Sequence, residues 1–210
     1  MNSDVTGAAP GGGAATLKGE ARRRQIVEAA AALVREGGPS SVSHRAVARR
    51  AGCSLSATTY YFEGLEDLLH QAGALNISLW ASRAERVAER VESRTAEDVA
   101  MSERVETILS ATLPSGQALI GHYAQLISAG DFAPVASAYR TGRSRLNAAV
   151  ARVLAHLRID LTADLVIAVV DGAAVTALSE GRDVHATAAD LLSKIAAFGT
   201  QPDQEHERDR

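Results

Sequence analysis

Apolar residues recur along this chain at spacings of three and four, interrupted by Gly and Pro, and the pattern predicts helices nearly throughout. Ile26, Ala30 and Leu33 share one face of a first helix that begins near Lys18 and ends at Gly37-Gly38-Pro39. Ser43 is a good N-cap for a short helix in which Val47, Ala48 and Ala51 keep helical spacing until Gly52. Ser54 is a second N-cap, so a further short helix starts within a turn, and Phe62, Leu65, Leu68 and Leu69 read as the apolar closure behind it. From Glu66 to about Arg94 one long helix is expected, with a seam of Leu68, Leu69, Ala72, Leu75 and Leu79. Its charge-alternating stretch, Arg83 to Arg90, is expected to face solvent.

The second half continues in the same period. Thr95 and Asp98 suit a capping box opening a helix to about Leu113, and Pro114-Ser115-Gly116 breaks it. A short apolar helix over 118–127 follows, then a long amphipathic one over 132–158 with Tyr139, Leu146, Val150, Val153 and Leu157 on one side. Residues 161–178 are apolar on nearly every side, which demands burial against several neighbours, and Thr187 with Asp190 suits a capping box for a last helix to Phe198. Residues 1–15 and 201–210 lack periodicity and are expected to be loose.

Two short helices pinched at a Gly turn form the arrangement that lays its second helix in the major groove of DNA. The second helix here, Leu55 to Tyr61, is small or hydroxyl-bearing and has no acidic residue. Small side chains allow close approach to base edges, and hydroxyls reach bases or phosphates. Charge is distributed to match. The chain carries −3 overall, but residues 16–65 hold eight Lys/Arg against four Glu, while residues 66–210 carry −6. A basic head on an acidic body suits a DNA reader with a separate regulatory half.

These residues resemble the tetracycline-repressor-like (TetR) family of bacterial transcriptional regulators. The likeness is carried by Val47-Ala48-Arg49-Arg50-Ala51-Gly52-Cys53-Ser54, by Thr58-Thr59-Tyr60-Tyr61-Phe62 and by Glu66-Asp67-Leu68-Leu69, and covers roughly the first third of the chain. Leu65 stands where many members carry a phosphate-contacting lysine, and Thr59 occupies a common tyrosine position. The resemblance implies an all-α fold of about nine helices: a three-helix helix-turn-helix domain over 16–65 and a helical ligand-binding and dimerisation domain over 66–200. It implies DNA contacts from Ser43, His44, Arg45, Leu55, Ser56, Ala57, Thr58, Tyr60 and Tyr61, with only one of the two tyrosines pointing at DNA. It also implies a homodimer, which residues of the last two helices would hold: Leu165, Val169, Gly172, Val175, Leu178, Leu191, Ile195 and Phe198. The implied partners are a palindromic operator and a small-molecule effector, with a repressor released by ligand as the expected mode and activation as the other.

For the effector pocket, the side chains suited to an apolar cavity with a few polar groups are Trp80, His122, Tyr123, Phe132, Tyr139, Arg140, His156 and Asp171. Catalytic patterns are missing: the sequence has no phosphate loop, no G-x-S-x-G and no H-E-x-x-H, so an enzyme is not expected and no cofactor is called for. A small all-helical enzyme or scaffold with a purely structural helix-turn-helix is the rival reading. His122 and His156 are a conceivable metal pair, with a core or pocket histidine the commoner outcome. The one cysteine, Cys53, sits in the turn and reads as buried packing. No run is long and apolar enough for a membrane span, and the N-terminus has no signal-peptide pattern, which predicts a cytosolic protein.

Overall fold

The computed structural model describes residues 12–93, 100–114 and 119–199. Among these, nine α-helices are present and no strand. They are α1 (Gly12–Gly37), α2 (His44–Ala51), α3 (Leu55–Tyr61), α4 (Leu65–Glu92), α5 (Met101–Thr112), α6 (Leu119–Ser128), α7 (Ala133–His156), α8 (Ala163–Glu180) and α9 (Val184–Gly199). The expected all-α class is therefore the observed one. The Thr95/Asp98 capping box, the break over 115–116 and the two chain ends at 1–11 and 201–210 lie outside the described residues.

Local chemistry sets the head. Ser43 Oγ accepts from Ala46 N at 3.1 Å and Ser54 Oγ from Ala57 N at 3.2 Å, so both expected N-caps form. Between them Gly52 takes φ 60°, ψ 41°, the left-handed conformation that costs any residue with a Cβ. Helix α1 begins at Gly12, six residues ahead of the expected start at Lys18. Ala14 and Ala15 are strong helix formers and extend it backwards.

Two apolar cores are stacked along α4. The first gathers Ile26, Ala30 and Val34 of α1, Val47 of α2, Phe62, and Leu68, Leu69 and Ala72 of α4, with Ala129 and Val135 from the body closing it. The second gathers Ile77, Trp80, Ala84 and Val87 of α4 with α5, the later part of α7, α8 and α9. Tyr139 packs against both. Several expected positions differ. Leu65 and Leu79 are 37% and 47% exposed, because the buried face of α4 runs through Ala72, Asn76, Ile77 and Trp80. In the stretch expected to face solvent, Ala84, Val87 and Ala88 are buried and Arg83 is half-buried. Helix α9 starts at Val184, where Asp183 Oδ1 accepts from Ala186 N at 2.6 Å. Asp190, expected to cap, instead pairs with Lys194 at 2.6 Å.

Candidate functional site

The head presents one face of α3 to solvent. Leu55, Ser56, Thr59 and Tyr60 lie at spacings of one, four and five, which is a single stripe of a helix, and all four are exposed. Tyr60 reaches furthest, at 81% exposed, while Tyr61 is half-buried against the first core and meets Tyr60 edge-on at 5.0 Å. Thr58, expected at a DNA surface, is fully buried: its hydroxyl donates to Leu55 O at 2.7 Å and lies 3.1 Å from His44 Nδ1. The contact with His44 joins α3 to α2, so Thr58 and His44 position the helix. Ala57 is likewise packed inward. Ser43 spends its hydroxyl on the cap, and Arg45 is exposed beside it. Of the other arginines in the head, Arg49 is exposed, Arg50 is tied to Glu36 by a two-pronged ion pair (2.6 Å), and Arg23 stacks over Phe62 at 5.1 Å.

Behind the head, the body holds a cleft of about 350 Å³ lined by Trp80, Arg83, Thr112, His122, Leu126, Arg143, Leu146, Ile167 and Asp171. Of the eight expected pocket residues, Trp80, His122 and Asp171 line it directly. Tyr123 and Tyr139 stand behind them: Tyr123 donates to Asp171 Oδ1 at 3.3 Å, and Tyr139 packs on Trp80 at 5.1 Å. Three expected residues belong elsewhere. Phe132 packs in the first core, Arg140 is exposed, and His156 ends α7 about 15 Å beyond Leu146 along the helix, too far to join His122. Sequence reading passed over Arg83 and Arg143, whose charges read as solvent-facing when the helix is considered alone.

Burial sets the charges in this cleft. His122 stacks edge-on against Trp80 (4.7 Å) and Tyr123 (4.9 Å), and loss of water, with Arg83 nearby, pulls its pKa down to about 4. The ring is therefore neutral near pH 7. Asp171 is pushed upward by burial, against the pull of Arg143 and of the Tyr123 hydrogen bond. Arg83 is also weakened as a cation by burial, and its Nε is buried with no partner. These shifts predict a pH effect. Native His122 resists a proton that the unfolded chain accepts near pH 6.5, so stability falls as pH drops from about 6.5 to 4, by up to ~3 kcal/mol. Asp171 acts with the opposite sign above pH 3.8, so the wild-type slope alone is ambiguous. Thermal melts of His122→Gln should show a flatter acid limb than wild type. Identical limbs would refute the buried neutral imidazole.

A buried polar cluster connects cleft and head. Asn76 of α4 is fully buried. It accepts from Arg35 Nη1 of α1 at 2.6 Å and donates to Ala31 O at 3.3 Å and to Gln125 Oε1 of α6 at 3.2 Å. Tyr139 donates to the same Gln125 oxygen at 3.2 Å. Asn76-Ile77-Ser78 matches a glycosylation motif that has no meaning inside a helix, and nothing in the sequence singles out Gln125. On the far side of the body, α8 and α9 leave Leu165 (46%), Val175 (39%) and Leu191 (37%) exposed, with Gly172 open and Val169, Leu178 and Ile195 half-buried. The side chain of Phe198 lies outside the described residues.

Comparison with known proteins agrees with this arrangement. Residues 26–72 match the model of "Bacterial regulatory proteins, tetR family". The chain is 33% identical over 101 residues to the HTH-type transcriptional regulator PksA of Bacillus subtilis (strain 168). That match takes in 48% of this chain and 46% of PksA, so it spans less than half of the relative's length. In fold it is similar to a transcriptional regulator from Saccharomonospora viridis solved in complex with choline (TM-score 0.60, 20% identity, covering 84% of this chain and 96% of that one). It is also similar to the multidrug binding protein EbrR complexed with ethidium (TM-score 0.56, 24% identity, 83% and 98%). Among the described residues no helix is long and apolar enough to cross a membrane. The helix-turn-helix segment over residues 26–72 is thus similar to that of the bacterial tetR-family regulatory proteins, and the all-helical body behind it has the fold of the solved structures named above.

Proposed function

We propose that the protein is a homodimeric DNA-binding transcriptional regulator whose body binds a small-molecule effector, acting as a repressor released from a palindromic operator. The observation that carries the reading is the exposed stripe of Leu55, Ser56, Thr59 and Tyr60 on α3, held out from a basic head by the Thr58–His44 clamp. Tyr60 and Ser56 supply base-edge and phosphate contacts, Leu55 an apolar contact for thymine methyls, and Arg45 a phosphate contact. Exposed apolar positions on α8 and α9 pair with their symmetry mates in a four-helix interface, which sets the spacing of the two α3 helices.

The cleft lies beside the path by which body and head communicate. A ligand against Trp80 presses on Tyr139 and, through Gln125 and Asn76, on Arg35 at the end of α1. An effector can shift the dimer only by as much as it prefers one geometry over the other, and movement of this cluster is where that preference would arise. The structurally similar proteins named above were solved with choline and with ethidium, both cations. Occupation of the corresponding half of this chain by a small molecule follows the same plan.

Mobility shifts on the DNA upstream of the protein's own gene, at fixed salt, test the reading. Tyr60→Ala and Arg45→Ala are each expected to weaken specific binding by ~1–3 kcal/mol with unchanged melting temperature. Binding of wild type should also fall steeply with added salt. If neither variant changes affinity, α3 is not the reading helix.

A further inference from the structure

The charges lining the cleft are unusual for a buried space. Three exposed arginines, Arg50, Arg145 and Arg152, are each paired with a glutamate on the surface. Inside, Arg83 and Arg143 line one cavity, and among the described residues neither forms an ion pair. Desolvation favours the reverse, since an unpaired charge costs more the more it is buried. Arg83 is the sharper case. Its Nε is buried with no acceptor, and its Nη2 reaches only Thr112 O at 3.5 Å. The carboxylate in the cavity wall, Asp171, accepts from Tyr123 and lies in the field of Arg143, which leaves Arg83 as the guanidinium without a counter-charge in the wall. An adjoining open cleft of about 720 Å³ shares Trp80, Arg83 and His122, adds Arg35 and Arg86, and has no carboxylate in its lining. Entry is thus through a positive field, which draws anions and repels cations.

We infer that the effector is an organic acid, its carboxylate held by the Arg83 and Arg143 guanidiniums and its apolar body lying against Trp80, Leu126 and Ile167. The inference rests on the proposal that this cleft is the effector site, and names the class of molecule it takes. A planar fork of N–H donors matches a carboxylate in two-pronged fashion, and an incoming anion supplies the acceptor that Arg83 Nε lacks. The neutral His122 ring leaves the apolar wall without a competing charge.

Trp80 is the only tryptophan in the chain and stands in the cavity wall, so its fluorescence reports occupancy. The full-length protein is titrated with matched probes of one shape and three charges: benzoate, benzamide and benzylammonium, then hexanoate, hexanamide and hexylammonium, with choline as a further cation. Carboxylates are expected to bind at least about tenfold more tightly than their neutral or cationic counterparts. Arg83→Gln and Arg143→Gln should each remove that preference, with melting curves confirming that the variants fold. Asp171→Asn, which keeps an acceptor for Tyr123, should strengthen acid binding. Equal or tighter binding of the amides or cations overturns the organic-acid assignment while leaving the cleft as an effector site. So does an acid preference untouched in both arginine variants. If no probe of any charge alters Trp80 emission, the assignment falls together with the effector site on which it rests.

Discussion

Replacing Val175 and Leu191 together by aspartate is expected to yield a folded monomer whose operator affinity is lower by ~10²–10⁴-fold. Both side chains are more than a third exposed in the protomer, so the change removes little of the protomer's own core. In a dimer the same positions would be covered, and four buried carboxylates facing one another in an apolar interface could not be hydrated. The affinity loss follows from geometry. Once one α3 has docked, the second is delivered to its half-site at high effective concentration, and a monomer forfeits that second event. Light scattering on the purified variant gives the mass, and a mobility shift at the same salt gives the affinity. A double variant that remains dimeric would show that the α8–α9 face is not the interface, and a monomeric wild type would dispose of the dimer altogether.

Gly121→Ala is expected to lower stability by ~1–3 kcal/mol or more and to disturb the response of DNA binding to effector. A Cβ built on Gly121 collides with the backbone carbonyl of Arg35. No side chain there can swing away, so α6 must move off α1. Arg35 also donates to Asn76, which holds Gln125 on α6, so the displacement strains the polar cluster joining cleft and head. At roughly 2–4 °C per kcal/mol for a chain of this size, a melting curve resolves the change readily. Gly130→Ala is the matched control, because a Cβ there meets nothing within 4 Å. If Gly121→Ala melts with wild type and Gly130→Ala, the close approach of α6 to α1 is not a constraint on the fold.

The head was legible in the sequence because its signals are local. Ser43, Gly52 and Ser54 each act within one turn of their own position, as hydroxyl caps and as a residue free to adopt positive φ, so the helix-turn-helix follows whatever packs behind it. The division of charge between head and body could also be counted directly. Within α3, though, the sequence reading assigns Thr58 to the DNA surface and passes over Thr59, whereas Thr58 is buried and Thr59 exposed. The two hydroxyls are alike, and only the approach of α2 with His44 buries one and leaves the other exposed.

The composition and period of the chain thus determined on their own that it folds as helices, where most of them break, and that two short ones form a basic module. What the tertiary structure alone decided is which face of each long helix is inside. Helix α4 has 28 residues and is flanked by α1, α5 and α7, so small differences in rotation choose between Leu79 and Ile77 for the core. The same rotation carries Arg83 into the cleft and buries Asn76 against Gln125, where desolvation gives each a significance that no residue has in an isolated helix. Spacing along a chain records what lies on one face, and burial depends on the neighbours that come to meet it.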